Sequence, residues 1–279
     1  MRTDSVTGMT EPLIASFEAV WGDIVSLCSN LTDDQWALPT DCPGWSVQDN
    51  VAHMIGTERM LLGEQPEAPP VGDAPHLRND IGKANDQWIE SYRSRSGNEV
   101  LGEFRAITER RLAALRAMTT EDWDREGFTP EGPGPYRVFM EIRVFDCWYH
   151  DQDIREALGE PGFLDGPIAD LSLGRIPPKG LPYVVGKKAG APEGSTVVFR
   201  VEGARPLVAA VHVPPEGRAV LLGEPPAEPT ATLTMDRRTF ARLAGGRWNG
   251  DHARSAGSVQ IEGDADLANR VVDNMAFTI

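Results

Sequence analysis

The sequence predicts a helical first half, residues 1–160, joined to a small α+β second half, residues 161–279. Three observations predict this. Apolar residues recur at helical spacing through the first half. A change of texture follows Gly159. The stretch after Ser195 reads as short β runs bounded by turn signals. The length, 279 residues, allows about two domains. A hydrophobic content of 41% with 25% charged residues is enough for a packed core and excludes a disordered chain.

In the first half, Leu13, Phe17, Val20, Ile24, Leu27 and Leu31 form one apolar stripe. Thr32 and Gln35 make a capping box that opens a short turn. Asp41-Cys42-Pro43-Gly44-Trp45 is a turn signal. Ser46 with Asp49 starts a second helix that runs to about Gly63. The Pro- and Gly-rich stretch from Gln65 to Pro75 reads as a loop. A third helical zone from Leu77 to Met118 carries the stripe Leu101, Phe104, Thr108, Leu112 and Leu115, with a break near Ser96-Gly97. Thr119 to Pro135 is a long connection. The fourth helix, Tyr136 to Leu158, is apolar on most sides and is therefore expected to be buried, with Gly159 and Pro161 ending it.

In the second half, Pro167 to Lys188 reads as a helix interrupted at Pro177-Pro178. Runs 196–201 and 207–213 flank Glu202-Gly203 as a hairpin, and 219–222 and 230–235 are further strands. Arg237 to Ala244 reads as helix, 258–262 as strand and 264–275 as a last helix. Antiparallel strands followed by helices suggest α+β.

A net charge of -15 disfavours nucleic acid and anionic lipid as partners. No apolar run approaches a membrane span. Met1 to Pro12 is polar, so no signal peptide is expected and a cytoplasmic location is the default. Cys28, Cys42 and Cys147 form no CxxC pair. That argues against a zinc–thiolate site and a disulfide framework. Cys28 and Cys147 read as buried hydrophobes, and Cys42, in its turn, as more exposed.

Of five histidines, His53 falls in the middle of the second helix and His150 in the buried fourth. Asp146 precedes His150 by one helical turn, so both project from one face. Asp153 points the same way. Two imidazoles and a carboxylate meeting between helices can hold a divalent first-row ion, Zn²⁺ first among them. A structural role for the pair is the rival reading, and Asp146 has Arg143 and Arg155 as alternative partners. Unpaired polar groups in so apolar a helix are costly, which favours a purpose for them. His76 and His252 read as solvated loop residues, His212 as a cross-strand partner, Trp45 as a core plug and Trp148 and Tyr149 as core.

The run Trp45-Ser46-Val47-Gln48-Asp49-Asn50-Val51-Ala52-His53 resembles the W-x-V-x-D-x-x-x-H signature of the mycothiol-dependent maleylpyruvate isomerase family, within the DinB/YfiT-like metalloprotein superfamily. Asp146 to Arg155 resembles its second signature, in which the first carboxylate is usually Glu and here is Asp146. Val259 to Asp264 and Gly246-Arg247 resemble its small sterol-carrier-like C-terminal domain. The resemblance implies a DinB-like four-helix bundle over residues 1–160 with metal ligands His53, Asp146 and His150, then an α+β domain over 161–279. It implies mycothiol as cosubstrate, a thiolate adding to a small electrophile, and isomerisation or S-transfer as the outcome. Arg247 is then a candidate for holding a substrate carboxylate through its paired N–H groups. Asp49 and Asp153 are candidate hydrogen-bond acceptors for the ligand imidazoles. A non-catalytic ligand-binding protein and a metal-dependent hydrolase on the same bundle are the alternatives.

Overall fold

The computed structural model describes residues 11–77 and 79–277. The expectation that the chain opens without a signal peptide concerns residues 1–10, which lie outside that set. The chain divides into two compact units, Met1–Gly162 and Phe163–Ile279.

The first unit is helical. It contains α1 (Pro12–Cys28), α2 (Asp33–Trp36), α3 (Val47–Leu61), α4 (Asp80–Glu90), α5 (Gly97–Arg116), α6 (Thr120–Asp124), a two-residue ribbon of β1 (Glu126–Gly127) and β2 (Gly134–Pro135), and α7 (Tyr136–Leu158). Helix α1 packs on α5 and α7, and α3 packs on α4, α5 and α7. The predicted stripe is buried at Leu13, Phe17, Val20 and Ile24, the last three fully enclosed, while Leu27 is only partly covered and Leu31 lies beyond the end of α1. Each such side chain contributes about 1.5–3 kcal/mol. The break near Ser96-Gly97 is real: Ser96 caps α5 through a box with Glu99. Gly97 is there because the Trp36 ring lies against it, 2.2 Å from where a Cβ would stand. The 119–135 connection is more ordered than expected. Thr119 and Asp122 form a capping box that starts α6, and β1 and β2 pair antiparallel.

The second unit begins with α8 (Pro167–Tyr183), which continues into a π-helical turn, Val184–Lys188. The expected interruption at Pro177-Pro178 does not occur, and both prolines lie inside α8. Prolines remove backbone donors, yet burial of Ile176, Pro177 and Leu181 holds the helix together, and the irregular turn comes later.

Strands β3 (Thr196–Glu202), β4 (Leu207–His212), β5 (Val220–Leu222), β6 (Ala231–Asp236) and β7 (Val259–Gly263) form a sheet in the order β5-β4-β3-β6-β7. The β3–β4 hairpin matches the expectation. The all-antiparallel reading does not hold, because β3 and β6 pair in parallel, Val197 opposite Ala231 and Glu202 opposite Asp236. β4 already occupies one edge of β3, so β6 takes the other, and the chain arrives there after passing through β5. Helices α9 (Arg237–Ala244), α10 (Gly250–Ser255) and α11 (Ala265–Asp273) complete the unit. No helix among the described residues is long and apolar enough to cross a membrane.

Candidate metal centre

The site starts from a tight turn. Trp45 N–H donates to the Cys42 carbonyl at 3.0 Å, closing a turn with Pro43 second and Gly44 third. Gly44 has φ +84°, the value that position of a type II turn requires. Thr40 N–H to Trp45 O and Val47 N–H to Leu38 O, at 2.9 and 3.0 Å, tie the two arms together. Ser46 then caps α3: its hydroxyl accepts from Asp49 N–H at 3.2 Å, and the Asp49 carboxylate accepts from Ser46 N–H at 2.9 Å. Asp49 is therefore occupied in capping.

From that start, His53 stands nearly two turns into α3, and α3 packs on α7, which carries Asp146 and His150. His53 Nε2 lies 3.3 Å from Asp146 Oδ2, and His150 Nε2 lies 3.6 Å from Asp146 Oδ1. One ligand atom from each of the three residues lies within 4.8 Å of the other two. The imidazoles are buried, while the Asp146 side chain keeps 31% of its surface and forms the open side. Trp45 is half-buried, and its ring centroid lies 5.1 Å from that of His53 and 5.7 Å from that of His150. Its indole N–H donates to Asp86 at 3.3 Å. Trp45 is thus a wall against both imidazoles and not the core plug expected of it. Trp148 and Tyr149 are core residues.

Behind Asp146 lies a chain of buried charges. Arg143 donates to Asp146 Oδ2 and, through Nη2, to Glu58 Oε1 at 2.9 Å. Arg111 donates from Nε to Glu58 Oε2 at 2.8 Å. Glu58 is fully buried. Burial alone pushes the Asp146 carboxyl up, but Arg143, His150 and His53 outweigh it and hold it well below the usual carboxylate range. Burial pushes His53 below its ordinary 6.5, against the pull of Asp146. Burial acts on His150 in the same direction, but there Asp146, Asp153 and Cys42 prevail and raise it well above 6.5.

On the far side of His150, Nδ1 lies 2.8 Å from Asn50 Oδ1 and 3.5 Å from Asp153 Oδ2. Cys42 donates its S–H to Asp153 Oδ2 at 3.1 Å. Asp153 therefore sits behind His150, away from the His53–Asp146 cluster. Cys42, expected to be exposed, is buried, because its turn folds down onto α7. Cys42, His150 and Asp153 also have donor atoms close enough to hold an ion. Their atoms are instead engaged with one another and with Asn50.

The remaining candidates fall elsewhere. His76 is half-buried, lies against Gly44 and bonds Asp86 at 3.4 Å, so it is not a free loop histidine. His252 lies in α10 and stacks on Trp248 at 4.5 Å. His212 bonds Thr196 across the β3–β4 pair at 3.0 Å, as expected. Arg247 follows the turn after α9 and donates to the Gly245 carbonyl at 2.7 Å. Sequence reasoning missed Asn50, Glu58 and Arg111. Asn50 is three residues before His53 on one helix, which is the signal that marks it as a neighbour of the site.

Two features fit the cluster to a divalent ion. The donor set is two nitrogens and one carboxylate. The donors converge from two helices. Nδ1 of His53, the ring nitrogen turned away from the cluster, is buried with no hydrogen-bond partner among the described residues.

A family model described as the mycothiol maleylpyruvate isomerase N-terminal domain matches residues 17–155, and one for the corresponding C-terminal domain matches residues 179–270. The crystal structure of the mycothiol-dependent maleylpyruvate isomerase superposes with a TM-score of 0.58 at 15% identity, over 91% of this chain and 93% of that one. At that identity the likeness concerns the fold. Sterol Carrier Protein 2 from Yarrowia lipolytica aligns over 38% of this chain and 93% of its own at 16% identity, and its TM-score of 0.28 is too low to relate the two folds. Two uncharacterized proteins of Mycobacterium tuberculosis, from strains CDC 1551 and H37Rv, are each 26% identical over 150 residues, 53% of this chain and 57% of theirs. The match thus spans little more than half the length of those relatives.

Proposed function

Because the chain belongs to the mycothiol maleylpyruvate isomerase family, we propose that it is a metal-dependent enzyme that uses a low-molecular-weight thiol, mycothiol, on a small electrophilic substrate. The single observation that supports this most is the convergence of His53, Asp146 and His150 within 4.8 Å. These three residues are the proposed ligands. A divalent ion bound there, Zn²⁺ before others, supplies a positive charge that lowers the pKa of a thiol and favours its thiolate.

The chain's own groups do the rest of the work in this reading. Arg143, braced by Glu58, holds the Asp146 carboxylate in place. Burial keeps water from competing for the imidazoles. Trp45 closes one side, so that ligands approach over Asp146. The thiolate adds to an electrophilic carbon. If the thiol is expelled after rotation about the adjacent bond, the result is cis–trans isomerisation. If it is kept, the result is S-transfer.

The test has two parts. Elemental analysis of protein purified without added metal is expected to find a near-stoichiometric divalent ion that His53→Ala and His150→Ala both lose. Conjugation or isomerisation of a small electrophile is expected to require added thiol. Turnover of esters or amides with no thiol present would overturn the thiol half of the proposal. Metal-free protein in every preparation would overturn the metal half.

A further inference from the structure

Asn50 is fully buried on α3, and the Nδ2 end of its amide meets partners whose polarity is fixed. The Nδ2 group donates to the Ser46 carbonyl at 2.9 Å and to Thr40 Oγ1 at 3.0 Å. A backbone carbonyl only accepts, so the group facing it must be the NH₂. Thr40 leaves no freedom either. Its hydroxyl donates to the Trp45 carbonyl at 3.0 Å and also accepts the Cys42 N–H at 3.3 Å. Flipping the Asn50 amide would set oxygen against oxygen at Ser46, at the cost of leaving buried groups unbonded. Oδ1 therefore points at Nδ1 of His150, 2.8 Å away. The other groups beside Nδ1 are farther: Asp153 Oδ2, at 3.5 Å, already accepts the Cys42 S–H, and Cys42 Sγ lies at 4.0 Å.

We propose that Asn50 is a positioning residue that fixes the ring of His150, its Oδ1 accepting the hydrogen bond of Nδ1–H and so leaving Nε2 to face Asp146 and His53. The turn from Thr40 to Ser46 thereby sets which nitrogen of a histidine on another helix faces the site. The consequence for metal affinity rests on the functional reading above, whereas the orientation of the ring does not.

The test uses the full chain. Long-range ¹H–¹⁵N correlation of metal-free protein labelled with ¹⁵N-histidine is expected to find a proton on Nδ1 of His150. Its absence in the wild type would overturn the proposal whatever zinc does. Zinc alone, titrated against a chromophoric chelator, is expected to bind Asn50→Leu about 10–100-fold more weakly than wild type, the usual range for loss of a ligand's supporting hydrogen bond. Thr40→Val frees one of the two bonds that orient the amide and is expected to give a smaller loss, which reports on the proposal even if Asn50→Leu does not fold. Wild-type affinity in Asn50→Leu, or in Thr40→Val, would overturn it. A wild type that carries the Nδ1 proton but binds no zinc would sink the metal reading and leave the ring orientation supported.

Discussion

His53 and His150 come from different helices and meet edge to face, with ring centroids 4.8 Å apart and planes at 68°. Their Nε2 atoms flank the two oxygens of one carboxylate, that of Asp146. His53→Ala and His150→Ala are each expected to weaken zinc binding by more than about 100-fold, beyond what outer groups contribute. Asp146→Asn is expected to cost about 10-fold or more on the same scale. Chelator competition measures all three. Unchanged affinity in Asp146→Asn would remove Asp146 from the ligand set.

Proton competition gives a second prediction. Asp146 and Asp153 raise His150 well above its ordinary 6.5 while burial lowers His53, so His150 holds its second proton to higher pH than His53 and a cation competes with that proton. Zinc affinity is expected to fall as pH drops, with about one proton released per ion bound. In metal-free protein the sign for stability is different. The raised pKa of His150 stabilises the fold fully below pH 6.5, and that contribution is lost as pH rises through the folded-state value. Urea midpoints of metal-free wild type and His150→Gln, compared from pH 5 upward, are expected to converge as pH rises. A gap that widens with pH would contradict this.

The buried Glu58 pairs with two guanidinium groups at once. Glu58→Ala leaves Arg111 and Arg143 enclosed without their shared partner and is expected to destabilise the protein by about 3–5 kcal/mol. Denaturant unfolding checks this. A loss under about 1 kcal/mol, the value typical of exposed pairs, would mean that solvent reaches the cluster.

Close approach of two helices sets a fourth expectation. A Cβ on Gly56, one turn beyond His53 on α3, would stand 2.4 Å from Trp88 Cβ on α4. Gly56→Ala must push α4 away and is expected to cost about 1–3 kcal/mol, the usual range for overpacking. Thermal unfolding of the variant reads the loss.

Burial pushes the thiols of Cys28 and Cys147 up to about 12. The native protein at pH 8 is expected to leave both unmodified by a thiol reagent, and unfolding is expected to expose them. Mass mapping of the labelled residues decides it.

Much of the site was legible in the sequence because helical spacing carries geometry. Asp146 and His150 share a face of α7 by their separation alone, and Ser46 with Asp49 marks the start of α3 four to seven residues ahead of His53. The stripe of α1 and the β3–β4 hairpin were equally readable. The prolines of α8 misled, because a local rule about donors competes with burial that only the folded unit supplies. The parallel β3–β6 pair was hidden, since strand order is a long-range choice. Cys42 was misplaced for a similar reason: a turn that looks exposed in isolation is covered by α7.

The sequence by itself determined that the first half is helical, that His150 shares a helix face with Asp146, and that His53 stands on a capped helix. Periodicity and capping act over one or two turns, so they are written locally. Only the tertiary structure decided that α3 lies on α7 with His53 turned toward Asp146, that Arg143 and Glu58 stand behind that carboxylate, and that Asn50 faces the far nitrogen of His150. Those relations depend on packing between segments far apart in the chain, where burial and the demand that every enclosed donor find an acceptor select the arrangement.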